Sequence, residues 1–133
     1  MRASSGVSLL LMALLSACQS FESHEYRVRR ASHSDAAKVT RILRSVATEA
    51  GLHKRAPTPY DSPVIALYGA PRVDLRASLS GRDVRVSVSR YDWPAPEAFS
   101  RADQLLIADL SREFGDRFTV EPPAQVERSI TVY

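Results

Sequence analysis

The sequence predicts an α+β domain in which an antiparallel or mixed sheet of about four to five strands carries two helices packed on one face. Three features predict it: two alternating runs meeting at Ser80-Gly81, a helical apolar period from Ser34 to Ala50, and a second from about Pro96 to Phe114.

Taken in order, Glu25 to Ala31 alternates Tyr26 and Val28 with charge, which suits a short first strand whose edge Arg27 and Arg29 guard. Val39, Ile42, Leu43, Val46, Ala47 and Ala50 then recur at helical spacing and form one apolar stripe. Ser34 or Ser32 caps the first turn of that helix, and Gly51 supplies the left-handed residue that ends it. Three prolines make His53 to Pro63 a loop, and Val64 to Gly69 reads as a buried strand.

The two alternating runs form a hairpin. A turn at Ser80-Gly81 pairs Leu79 with Arg82, Ala77 with Val84, Leu75 with Val86 and Val73 with Val88, so one face is apolar and the other wet. That register also sets Arg76 opposite Arg85, a repulsive pairing that Asp74 and Asp83 offset on the diagonals. The second helix lays Phe99, Ala102, Leu106 and Leu110 on its stripe, widened by Leu105 and Ile107, and Gly115 closes it. Phe118 and Val120 begin a strand that Pro122-Pro123 interrupts, and Val126 to Tyr133 reads as a last strand.

Composition excludes the unusual classes. At 133 residues, 44% hydrophobic and 25% charged, the chain suits one globular domain. The net charge of +3 is mild, and only Lys38 and Lys54 among eighteen basic residues are lysines.

Residues 1–17 have a different character. Arg2 is a small positive head, and Val7 to Leu15 is an apolar run broken only by Ser8, the pattern of a secretory signal. The run is shorter than the ~20 apolar residues that a spanning helix needs.

Leu15-Ser16-Ala17-Cys18 resembles the lipobox of bacterial lipoproteins, with leucine three positions before the cysteine and two small residues between. Leu15 is too large for the third position before the cut of an ordinary signal peptidase. The resemblance implies cleavage between Ala17 and Cys18, a diacylglycerol on the Cys18 sulfur, and acylation of the new amino group by palmitate or a similar chain. Several such chains, at roughly 0.8 kcal/mol per buried methylene, make a stable anchor. It also implies that Gln19, where an inner-membrane lipoprotein tends to carry Asp, directs the protein to the inner leaflet of the outer membrane, with its domain in the periplasm.

The organisation this implies is a signal peptide at 1–17, a lipidated cysteine with a short tether at 18–24, and one periplasmic domain at 25–133. The tether reaches only about 20 Å when extended. With Cys18 lipidated no cysteine is left for a disulfide, so packing alone holds the fold.

Charge is uneven along the mature chain. Residues 24–60 hold eight Lys or Arg against three acids, and residues 91–127 hold eight acids against three Arg, balances of +5 and −5. Two readings stand open: the two helices attract weakly through opposite charge, or the basic half meets an anionic lipid, lipopolysaccharide or glycan through residues such as Arg41 and Arg44. Lys54, Arg55 and Tyr60 in the proline-rich segment are the first choice for a contact surface, with a spacer as the alternative. Trp93, beside Tyr91 and Pro94, either plugs one end of the core or offers a platform for a sugar or peptide.

The sequence motifs of catalysis are missing. His24, His33 and His53 do not share the three- or four-residue spacing of a helical metal site, and neither a Gly-x-Ser-x-Gly elbow nor a Ser-x-x-Lys pair occurs. A secreted, anchored protein is also poorly placed to meet nucleic acid. Tyr133 resembles the aromatic end of a barrel strand, but about five strands cannot close a barrel of eight. The expectation is a non-catalytic binding or accessory subunit of envelope machinery, with membrane and envelope protein as partners, no metal, and no cofactor beyond the covalent lipid on Cys18. The alternatives are a binder of an anionic envelope ligand or an enzyme of unrecognised chemistry.

Overall fold

A computed structural model describes residues 21–58, 64–91 and 96–122. The elements run β1 (Phe21–Val28), α1 (His33–Ala50), β2 (His53–Lys54), β3 (Val64–Ala70), β4 (Val73–Ser80), β5 (Asp83–Tyr91), α2 (Glu97–Phe114), a 3₁₀ turn (Gly115–Arg117) and β6 (Phe118–Val120). They form one six-stranded sheet in the order β2-β3-β4-β5-β1-β6, antiparallel at every pairing. The α+β class and the two helices on one face are as the sequence predicts. The strand count is higher because His53-Lys54 pairs with Gly69 and Tyr68 before the first proline of the segment ends the pairing. The expected strand at Val126 to Tyr133 lies outside the described residues, as do Ala17, Cys18, Tyr60 and Trp93.

Two corrections concern register. First, β1 starts at Phe21, four residues before the expected domain boundary at 25, because pairing with β5 runs from Phe21 opposite Tyr91 to Val28 opposite Val84. Residues 21–24, expected to be tether, are therefore strand. Second, the hairpin turns at Gly81-Arg82 and pairs Ser80 with Asp83, Leu79 with Val84, Ala77 with Val86 and Leu75 with Val88. Gly81 takes φ +62° as the first central residue of that turn, a place where glycine is favoured. The shift of two residues keeps every apolar side chain on its expected face. It also sets Arg76 opposite Ser87 and Arg85 opposite Ser78, so the expected Arg76–Arg85 opposition does not occur.

The core lies between the helices and one face of the sheet. Val39, Leu43, Val46 and Ala47 of α1 and Phe99, Ala102, Leu106, Leu110 and Phe114 of α2 pack on Tyr26, Val28, Val73, Leu75, Ala77, Val84, Val86 and Val88. Burying each large aliphatic side chain contributes about 1.5–3 kcal/mol. Ile107, expected to widen the α2 stripe, is 40% exposed, and Leu79, beside the hairpin turn, is 57% exposed.

Polar ties fix the helix ends. Ser32 caps α1 and forms a capping box with Asp35, and Gly51 ends the helix at φ +78°. Asp35 is buried and takes two hydrogen bonds from Arg117, Nη1 to Oδ2 at 2.7 Å and Nη2 to Oδ1 at 3.2 Å. Those bonds, followed by the Ser32 backbone N–H, hold the Asp35 carboxyl well below the usual carboxylate range. A lowered pKa stabilises the fold above the ordinary carboxylate value, about 3.9, and that contribution is lost as pH falls below it.

The exposure contrast generates a test by urea denaturation. Leu43→Ala lowers unfolding free energy by about 2–5 kcal/mol, whereas Leu79→Ala changes it by about 0.5 kcal/mol or less. Equal losses at the two sites contradict this contrast in burial.

Candidate functional site

Both helices pack on one face of the sheet; the other is open over β1, β4 and β5, whereas Leu67 of β3, opposite Arg76, is buried there. β1 presents Phe21, Ser23 and Glu25 there, β4 presents Arg76 and Ser78, and β5 presents Arg85, Ser87, Ser89 and Tyr91. Together they line a groove of about 340 Å³. Strand alternation puts them there, as Ser87 stands between the buried Val86 and Val88.

One end of the groove is aromatic. The Phe21 and Tyr91 rings lie 5.2 Å apart at a tilt of 46°, and the Tyr91 hydroxyl donates to Asp74 Oδ2 at 3.0 Å. Asp74 Oδ1 accepts from Arg55 Nη1, and the Arg55 stem crosses Gly69 so closely that a Cβ on Gly69 stands 2.5 Å from Arg55 Cδ. Glycine at 69 therefore lets Arg55 reach Asp74. Burial, followed by the hydrogen bond to Asp74, pushes the Tyr91 phenol above the ordinary tyrosine value.

The middle of the groove is hydroxylated and cationic. Ser23 and Ser89 share a hydrogen bond of 2.9 Å. Arg27 stands opposite Arg85 across β1 and β5, but Arg27 Nη1 is 3.3 Å from Asp83 and its Nε is 3.1 Å from Glu121. That Nε is out of line for a hydrogen bond to Glu121, so the pairing is electrostatic. Arg85 is exposed and makes no ion pair with another described residue. Arg76 and Arg85 against Glu25 leave the groove lining with a net positive charge.

A second groove, of about 490 Å³, runs between the helices and is lined by Lys38, Arg41, Ile42, Ser45, Glu49, Asp109, Arg112 and Glu113. Lys38 reaches Glu113 at 3.4 Å, and Arg112 holds Asp109 at 3.0 Å on its own helix. The opposite charge of the two sequence halves thus meets across this seam.

A third cluster ties β1 to α2. Asp103 accepts from the buried Tyr26 hydroxyl, and its Oδ2 lies 2.9 Å from His24 Nδ1. Burial and the hydrogen bond to Asp103 push the Tyr26 phenol far above its ordinary range. His24 packs on Phe99 at 5.2 Å, and its other ring nitrogen lies 3.6 Å from a Glu22 oxygen. The imidazole therefore sits between carboxylates, an arrangement that fixes a strand against a helix. His24 and Asp103 are 79 residues apart, and only the fold brings them together.

The expected contact residues fall on different faces. Arg41 lines the seam between the helices, Arg44 is exposed on α1, and Lys54 is exposed on β2. Arg55 alone reaches over the open face, where it pairs with Asp74. The groove residues Ser23, Arg76, Ser78, Arg85 and Ser87 have no motif in the sequence, and their signal is only the polar half of each alternating strand.

Among the described residues no group of His, Cys, Asp and Glu is arranged to hold a metal ion, and no helix is long and apolar enough to cross a membrane. No protein-family model matches the chain, and no curated protein matches it.

The Asp74 contact carries a titration test. Asp74→Asn removes the charge beside Tyr91 and moves its phenol down toward the ordinary value of about 10, short of it because burial persists. NMR titration of the Tyr91 ring carbons reads the shift, and an unchanged midpoint contradicts the assignment.

Proposed function

We propose that this chain is a bacterial lipoprotein, anchored through Cys18 in the inner leaflet of the outer membrane. Its α+β domain serves as a non-catalytic binding or accessory subunit of the cell envelope. The observation that carries the reading is the closeness of the lipobox-like Leu15-Ser16-Ala17-Cys18 to the fold: β1 starts at Phe21, so only Gln19 and Ser20 separate anchor and sheet. A tether this short holds the domain at the membrane surface, which suits a subunit working beside its anchor rather than one searching across the periplasm.

The open face is the surface that fits a contact role. It is wet, grooved and rich in hydroxyls, and its side chains stand on six paired strands that hold them in fixed register. The alternative, binding of an anionic envelope ligand, is favoured by Arg76 and Arg85 on this face. Arg41 in the seam between the helices shares its groove with Glu49, Asp109 and Glu113, which suits an anion less well.

Membrane fractionation with intact mass measurement tests the anchor, and pull-down from those membranes tests the adaptor role. Wild type is expected in the outer-membrane fraction with its mass raised by acyl chains, bringing an envelope protein with it. Cys18→Ala is expected unacylated, off the membrane and without that protein. An unmodified Cys18, or a Cys18→Ala chain that stays membrane-bound with its partner, contradicts the reading.

A further inference from the structure

We propose that the domain stands on the leaflet that holds its anchor through the Phe21–Tyr91 end of the open face, with the two aromatic rings making the contact, an inference that rests on lipidation of Cys18. Chain length sets the location. Three residue steps separate Cys18 from Phe21, so the two Cα atoms lie at most about 11 Å apart. A diacylglycerol on the Cys18 sulfur holds that residue at headgroup depth, and Phe21 therefore stays close to the interface however the domain turns.

The exposed apolar groups select one orientation. Among the described residues, Phe21, Leu79, Tyr91, Ile107 and Val120 are the large hydrophobic side chains left exposed. Phe21 at 38% and Tyr91 at 40% stand opposite each other on β1 and β5, their rings 5.2 Å apart, next to the anchor. Leu79 lies beside the hairpin turn at the far end, and Ile107 and Val120 lie on α2 and β6. Half-exposed aromatic rings favour the boundary between headgroups and water, and the Tyr91 hydroxyl is already satisfied by Asp74. Exposed Pro71 adjoins them, in a turn that the Arg72 carbonyl ties to the Tyr91 backbone N–H at 2.9 Å. Because the acyl chains already hold the domain at the surface, a weak contact is enough to set its orientation.

Charge at this end is balanced, so the rings carry the contact. Glu22 pairs with Arg90 at 3.0 Å, and Asp74 pairs with Arg55. The exposed cations Arg72 and Arg101 are matched by the exposed acids Glu49, near the end of α1, and Glu97, at the start of α2. In this orientation the strands rise from the membrane. Arg85 precedes Tyr91 by six residues of β5, about 20 Å at about 3.3 Å per residue, and Ser78 stands opposite Arg85. That half of the groove is then turned to the periplasm, out of reach of the headgroups and open to a partner.

NMR of the full acylated protein in phosphatidylcholine bicelles tests the contact. The Tyr91 ring protons are expected to show nuclear Overhauser contacts to headgroup and glycerol protons of the lipid. A nitroxide on the upper acyl chain is expected to broaden the Arg72 amide and to leave the Arg82 amide, at the far hairpin turn, sharp. Both signatures persist in about 0.5 M salt, where exposed charges are screened within a few ångström. Phe21→Ser with Tyr91→Ser keeps the anchor and lowers the broadening at Arg72 several-fold. Ile107→Ser with Val120→Ser leaves it unchanged, and circular dichroism shows that each variant retains its helices.

Tyr91 protons in contact with water alone, equal broadening of Arg72 and Arg82, loss of the contacts in high salt, or an unchanged pattern in the Phe21/Tyr91 variant overturns the proposal. The mass of the same sample reports acylation of Cys18 separately. An acylated chain without the Tyr91 contacts keeps the anchor and refutes the orientation, and an unacylated chain refutes both.

Discussion

The structure depends on β1 lying inside the sheet. It pairs with β5 along all eight of its residues and with β6 on its other side, so it joins the two late strands of the chain. Its alternation divides the molecule. Tyr26 and Val28 point into the core, and Tyr26 donates to Asp103 on α2, whereas Phe21, Ser23 and Glu25 point to the open face. A one-residue slip of this strand exchanges the two sets and removes core and groove together.

Much of this is visible in residue spacing. The α1 stripe, its capping serine, the left-handed Gly51 and the α2 stripe all follow from period and local chemistry, because helix signals are short-range. The hairpin was less determinate. A turn at Ser80-Gly81 and one at Gly81-Arg82 give the same facial pattern, and alternation alone does not separate them. The extent of β1 is hidden for a different reason: Phe21-Glu22-Ser23-His24 looks like polar tether, and only β5, some 65 residues later, supplies its partners.

The groove is the least legible feature. Its members come from three strands and carry no shared motif, and the charge pattern along the chain directs attention to Arg41 and Arg44 instead. Those arginines belong to the helix layer, where cations of α1 face acids of α2 and Lys38 pairs with Glu113. The electrostatic asymmetry of the two sequence halves therefore serves packing between helices. Arg76 and Arg85 stand on the sheet instead, where their chain neighbours Asp74 and Asp83 hide them in a net-charge count.

In the proposed arrangement the anchor at Cys18 lies two residues before β1, which places the Phe21–Tyr91 end of the sheet toward the membrane. Spin labels read it directly in the acylated protein on a bilayer. Where lipid occupies the Cys18 sulfur as proposed, an introduced cysteine is the only free thiol. A label at Arg72→Cys, beside Tyr91, is expected to collide with oxygen from the lipid phase. A label at Arg82→Cys, in the turn at the far end of the hairpin, is expected to collide with a water-soluble relaxant. Equal exposure of the two labels to water, or the reverse order, contradicts the account.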